Sequence, residues 1–238
     1  MKLDILAFAA HPDDIELSCS GTLIKNVQNG KKVGVIDLTQ GELGTRGSAE
    51  IRLIEATESA KIMGLSAREN LKMKDGFFEI IPENSLKIIE QIRRFKPEIV
   101  LANAIEDRHP DHARASKLVS EACFLAGLRR IETFWDGEVQ EHFRPKVVYH
   151  YIQDRYIKPD FAVDVTAFFD QKMKAIMAFK SQFFDPFSSE PNTPISGEDF
   201  IDSIKGRMGA FGREIGVKYA EGFTSERLLG VDNLFDLF

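Results

Sequence analysis

KLDILAFAAHPDDIELS, residues 2–18, opens on an apolar run, Ile5 to Ala10, that stops at His11-Pro12-Asp13-Asp14. Pro12 fixes its own φ and biases His11 away from helix, so a strand is expected to end here. A histidine and two carboxylates then stand at the carboxyl end of a buried strand. Open α/β sheets hold their ligands at that place.

Outward from this turn, the spacing of Leu17, Gly21, Leu23, Ile24 and Val27 predicts a helix from Ile15 to Asn29, stopped by Gly30. Lys32 to Thr39 (KVGVIDLT) reads as a second strand. Two strands joined by a helix make a βαβ unit, which implies parallel pairing. QGELGTRGS, residues 40–48, is a glycine-rich loop at another strand's carboxyl end. An amphipathic helix with Ile51, Ile54, Ala60 and Met63 follows from Ala49 to Gly64. A short strand is expected at Leu71 to Lys74. A helix from Pro82 to Phe95 places Pro at its start and Leu86, Ile89 and Ile92 inward.

The next strand, Ile99 to Asn103, empties into Glu106-Asp107-Arg108-His109-Pro110-Asp111-His112 and a helix from Asp111 to Ala126. This repeats the first turn: strand, His-Pro, then acid. Beyond Gly127 the regularity weakens. Lys146 to Ile152 and Phe161 to Val165 read as antiparallel strands, Thr166 to Ser181 and Phe200 to Ile215 as helices. Phe183 to Gly197 has no period and suits a lid, a subunit contact or a disordered loop. The chain is read as one α/β domain over residues 1–238, with a core in 1–127 and a small addition in 128–238.

The 238 residues are 43% hydrophobic and 29% charged, as in a soluble globular protein. A net charge of −6 argues against a nucleic-acid groove or an anionic membrane surface. No run of apolar residues is long enough to span a bilayer, and no signal-peptide pattern appears. Cys19 and Cys123 are the only cysteines, and two buried reduced thiols suit a cytoplasmic protein.

A catalytic zinc takes three protein ligands and leaves a position for water. His11 and Asp14 share a tight turn and reach one ion; His112 supplies a third ligand from the second loop. Asp13 is left beside the metal, placed to accept a proton from water. His109 and Asp111 remain as a hydrogen-bonded pair. Singly these residues are ordinary, since a lone His after a strand is usually packing and a lone Asp usually a helix cap. Three of the five histidines in two His-Pro-Asp turns are not. His142 and His150 lack such company and are read as structural.

AHPDDIEL, TQGELGTRG, the helix with Arg52, Glu55 and Ala56, RHPDH and the terminal GVKYAEGF resemble the LmbE-like (PIG-L) zinc-dependent deacetylases of N-acetylglucosamine conjugates. The nearest branch is the bacillithiol-pathway enzymes, which act on N-acetylglucosaminyl-malate. The resemblance implies a Rossmann-like, mostly parallel sheet with helices on both faces. It implies zinc, or Fe²⁺, on His11, Asp14 and His112, with Asp13 as general base. His109 becomes the electrostatic residue beside the reacting carbonyl, and Asp111 the acid that orients it and favours its charged form. Arg52 matches a position that contacts the sugar or its aglycone; Arg108 is a second candidate for a malate carboxylate. Glu42, Gly44 and Arg46 are expected at the pocket rim, with Tyr219 and Glu221 as further candidates. A homo-oligomer, trimer or hexamer, is implied too. The rival readings are deacetylation of another N-acetylglucosaminyl conjugate and a metal-dependent phosphoesterase. A glycine-fingerprint nucleotide site has no matching motif.

Overall fold

Apolar residues on both sides of the first strand set the architecture. In β1 (Ile5–Ala9), Leu6 and Phe8 face one way and Ile5, Ala7 and Ala9 the other, all buried. A strand buried on both faces needs layers on both faces. The computed structural model, which describes residues 1–183 and 189–236, supplies them. On one face lie α4 (Pro82–Phe95) and α5 (Pro110–Leu125), with Ile88, Ile92, Leu118 and Val119 against Leu6 and Phe8. On the other lie α1 (Asp14–Ser18), α2 (Ser20–Gln28), α3 (Ala49–Met63) and α6 (Phe169–Ile176), with Ile15, Leu23, Met63 and Ala175 against Ala7.

The remaining strands are β2 (Val33–Thr39), β3 (Ala67–Met73), β4 (Ile99–Ala102), β7 (Val147–Tyr151), β8 (Phe161–Asp164) and β9 (Ala220–Ser225). Among the described residues they form one seven-stranded sheet, ordered β3-β2-β1-β4-β7-β9-β8. The pairs β1·β2, β2·β3, β1·β4 and β4·β7 are parallel; β9 runs antiparallel between β7 and β8. A two-stranded ribbon, β5 (Phe134–Trp135) and β6 (Glu138–Val139), stands apart, and α7 (Phe200–Glu214) packs near β9. The C-terminal part therefore extends the same sheet. Its strand β7 joins in parallel, where two antiparallel strands were expected, because its partner is β4 and not β8.

This order fixes the site. From β1 the chain winds outward to β2 and β3, then returns to β4 on the opposite flank of β1. The carboxyl ends of β1 and β4 are thus the topological switch point, where adjacent loops splay apart. Both His-Pro turns leave from these two strands.

Two local expectations change. The helix predicted over Ile15 to Asn29 is broken at Cys19, whose backbone is non-helical (φ −134°, ψ 13°). The break is held from afar: Glu221 on β9 accepts from Gly21 N (2.9 Å), Thr22 N (2.7 Å) and Thr22 Oγ1 (2.7 Å), capping α2. Buried Lys172 on α6 ties Glu221 (2.8 Å) to the carbonyl of Glu16 (2.9 Å). The buried face of α3 also differs. Ile51 and Ile54 are 45% and 69% exposed, while Arg52, Glu55, Ala56, Ser59 and Met63 are buried. Polar partners reverse the face: Ser59 Oγ donates to Glu16 (2.6 Å), and Glu55 accepts from Ser181 N and Oγ (2.7 Å each).

Candidate active site

His11 and Asp13 are fixed by the turn that ends β1. Asp13 adopts φ 111°, ψ −24°, and the next residue starts α1. A non-glycine residue at such a φ is strained, and the turn holds it because both flanking elements are packed. His109 sits at the start of α5, with Pro110 in its first turn; its Nδ1 accepts from Asp111 N (3.3 Å).

The two turns meet. The ring centres of His11 and His112 are 5.5 Å apart, those of His11 and His109 4.6 Å, and those of His109 and His112 5.1 Å. Ligating atoms of the three histidines all lie within 4.8 Å of one another. Asp14 stands between two of them: Oδ2 is 3.7 Å from His11 Nδ1, and Oδ1 is 3.1 Å from His112 Nε2. Asp13 is 5% exposed and lies 3.7 Å from Arg52 Nη1.

Both imidazoles are oriented from behind by carboxylates. His112 Nδ1 is hydrogen-bonded to Asp107 Oδ2, which turns its Nε2 toward Asp14. His11 Nε2 faces Asp75 Oδ1 (3.1 Å) and Asp111 Oδ2 (3.3 Å), which leaves Nδ1 for the Asp14 side. Carboxylates behind the ligating ring are the usual second layer of a metal site, because they fix the tautomer and raise basicity. The donor set therefore fits a divalent cation: nitrogen lone pairs and a carboxylate converge within a buried, acid-rich wall. Among the described residues His11, Asp75 and Asp111 form a second close group, which uses the opposite nitrogen of His11.

The charges follow from this packing. Burial raises the Asp13 carboxyl to about 7, against the opposing pull of Arg52. Burial also works upward on Asp14, but His112 and His11 more than offset it and hold Asp14 well below the usual range. Burial pushes His112 down, and Asp14 and Asp107 outweigh it, raising the imidazole to about 9. His109 is lowered, first by burial and then by the neighbouring His11 and His112. Two adjacent aspartates are thus driven in opposite directions.

Asp111 departs from expectation. Its carboxylate contacts His11, Gly76 N (2.8 Å) and Arg114, and its link to His109 runs through the backbone amide. Gly76 follows β3, so a third loop reaches the site, and the carboxylate is drawn to it. Arg52 is buried and engaged: Nη1 donates to Pro12 O (3.3 Å) and Nη2 to Gln182 Oε1. Gly41 and Gly44 permit this. A Cβ at Gly41 would sit 2.5 Å from Arg52 Nη1, and one at Gly44 3.1 Å from Nη2. Gly44 lines the cavity, as does Arg108, which donates to Asp154 (2.6 Å). Arg46, expected at the rim, is buried outside the cavity lining with its Nε 3.5 Å from Glu190. Glu42 holds Asp75 N (2.8 Å), and Tyr219 stacks on Phe169. His142 is exposed, while His150 is buried and contacts Asn103 O (2.9 Å) and Glu226 (2.9 Å). Of the stretch Phe183 to Gly197, residues 184–188 lie outside the described residues, and Ile195 lines the cavity.

Four contributors were missed: Asp75, Asn103, Asp107 and Gln153. Asp107 lies within the EDRHPDH stretch, and its spacing of five from His112 was the available signal. Asp75 and Asn103 follow strands, but only the sheet order reveals their neighbours. The cavity in front of these groups has a volume of about 450 Å³.

A pocket at the switch point of a parallel sheet, lined by a histidine–carboxylate group that could hold a metal ion, is the candidate centre. Comparison with known proteins gives the family. Residues 6–123 match PIG-L, described as GlcNAc-PI de-N-acetylase. The chain is 30% identical over 190 residues to the diacetylchitobiose deacetylase of Thermococcus kodakarensis, covering 75% of this chain and 70% of that one. The conserved protein TT1542 of Thermus thermophilus superposes with a TM-score of 0.84 at 38% identity, over 97% of this chain and 98% of that one. The N,N'-diacetylchitobiose deacetylase of Pyrococcus horikoshii does so with 0.77 at 25% identity, over 93% and 82%. The chain belongs to the PIG-L (LmbE-like) family of de-N-acetylases, hydrolases that act on N-acetyl groups. Among the described residues no helix is long and apolar enough to cross a membrane.

Proposed function

We propose that this chain removes the acetyl group from an N-acetylglucosamine conjugate, with a divalent cation, zinc or Fe²⁺, held by His11, Asp14 and His112. The observation that carries the reading is Asp14 between the two histidines, at 3.7 Å and 3.1 Å, with Asp13 beside them and outside the set. When bound, the cation would supply Lewis acidity, polarising a carbonyl and lowering the pKa of water to about 7.

The chain's own groups do the rest. Asp13 accepts a proton from the attacking water and returns it to the departing amine. His109, half-buried at the cavity wall, faces the carbonyl oxygen as negative charge develops. One such donor is worth about 3 kcal/mol. Asp111 and Asp75 keep the His11 ring fixed through Nε2, and Asp107 does the same for His112.

The conjugate suggested by the sequence is N-acetylglucosaminyl-malate, an intermediate of bacillithiol biosynthesis. Arg108, exposed on the cavity wall, is the side chain that supports a carboxylate contact, in exchange for its bond to Asp154. The test is acetate release by metal-defined protein from this conjugate, from diacetylchitobiose and from simple N-acetylglucosides. Turnover of the malate conjugate above the others supports the reading. Phosphate release from sugar phosphates without acetate release would replace it with the phosphoesterase.

A further inference from the structure

His150 is buried near the carboxyl end of β7 and takes no part in the chemistry proposed above. Its backbone pairs with Ala102 of β4 on one side and Thr224 of β9 on the other. The ring has three polar neighbours. Nδ1 is 2.9 Å from Asn103 O and 2.8 Å from Ser116 Oγ, and Nε2 is 2.9 Å from Glu226 Oε1. A carbonyl oxygen only accepts, so Nδ1 carries a hydrogen and donates to it.

A buried, hydrogen-bonded histidine is ordinarily packing. The two residues on Nδ1 set this one apart, because each adjoins one half of the proposed ligand set. Asn103 is buried, and its side chain spans the first His-Pro turn. Its Oδ1 accepts from the amide of Ala10, the residue before His11 (3.0 Å), and its Nδ2 donates to Asp14 Oδ2. Ser116, also buried, stands one turn after His112 on α5, so the two side chains share a helix face. One ring thus touches the residue that holds the first turn and the helix face that carries the ligand of the second. Glu226, just past β9, holds the far side of the ring.

We infer that His150 is a positioning residue for the metal site, holding Asn103 through Nδ1 and so keeping Asp14 in register with His112. The inference rests on the ligand set of His11, Asp14 and His112 proposed above. The ring acts through Asn103 and Ser116. Without the bond to its carbonyl, Asn103 shifts with its side chain, and Asp14 loses its orientation while the cavity walls stay in place.

In the test, full-length protein freed of metal is titrated with Zn²⁺ against a chelator of known affinity. An asparagine amide at position 150 stands near the place of Nδ1, whereas a glutamine amide reaches toward that of Nε2. His150→Gln should therefore weaken Zn²⁺ binding about 10-fold, as loss of support behind a ligand does, while His150→Asn stays close to the wild-type value. Loss of packing alone would lower both alike, in step with their Tm, so equal affinities in the two variants overturn the inference. Long-range ¹H–¹⁵N spectra of the wild-type chain need no substitution: a proton on His150 Nδ1 is expected, and a bare Nδ1 overturns the inference even where a variant fails to fold. His112→Ala separates the two levels. Wild-type affinity in that variant overturns the ligand set and this inference with it. Affinity lost there, but equal in the two His150 variants, overturns this inference alone.

Discussion

Asn103 Nδ2 donates to Asp14 Oδ2 at 2.9 Å, and the same nitrogen donates to Gln153 Oε1 at 3.0 Å. Gln153 Nε2 then donates to Asp14 Oδ1 at 3.1 Å. Asp14 is clamped at both oxygens by two amides, one after β4 and one after β7. A carboxylate held in this way cannot swing, so on the proposed ligand set the site would be formed before an ion binds. Gln153→Leu removes one jaw and should weaken metal binding about 10- to 100-fold. Competition against a chelator of known affinity measures it. Unchanged affinity would mean that Asp14 needs no such support.

Asp13→Asn keeps the size of the side chain and removes its basicity. Metal content should stay at the wild-type level, and turnover should fall by about 10²–10⁴, the usual contribution of a general base. A fully active Asp13→Asn enzyme would remove Asp13 from the mechanism.

Arg52 is occupied by Pro12 O, Gln182 and Asp13. Arg52 also lines the cavity, but these contacts tie it to the reaction centre, so its loss should act there first. Arg52→Gln is expected to lower kcat/KM by the same factor for free N-acetylglucosamine and for the malate conjugate. A KM increase confined to the malate conjugate would show that Arg52 reaches the aglycone carboxylate.

His150 and Glu226 give a pH signature. The hydrogen bond from His150 holds the Glu226 carboxyl below the usual range, where burial alone would raise it. A carboxyl lowered on folding stabilises the protein above its unfolded pKa, about 4.3, and loses that contribution as pH falls through the folded value. Glu226→Gln should thus lower the Tm at neutral pH, and the difference should close in acid. Thermal unfolding of both proteins across this range checks the sign. A gap that widened in acid would contradict it.

Much of the site was legible because its signals are local. The two His-Pro turns follow apolar runs, and chain chemistry alone puts them at strand ends. The sheet core from β1 to α5 follows from the same alternation of strands and helices. What could not be read has one cause: the partner is distant in sequence. Ile51 and Ile54 obey the helical period of α3 yet face water, because Ser181 and Glu16 draw the polar side inward. Asp111 follows the His-Pro pattern, but its carboxylate answers Gly76 and His11 from other loops. Asp75 has no local mark and becomes visible only once β3 is placed at the sheet edge.

The left-handed backbone of Asp13 has a further consequence. At φ 111° any side chain is disfavoured, by about 1–3 kcal/mol, whereas glycine is not. Glycine loses about 0.5–1 kcal/mol more in backbone entropy, which offsets part of that relief. Asp13→Gly should then relieve the strain of this turn, while its turnover falls at least as far as in Asp13→Asn. On the proposed mechanism, the residue that would relax this turn is the one that removes the base.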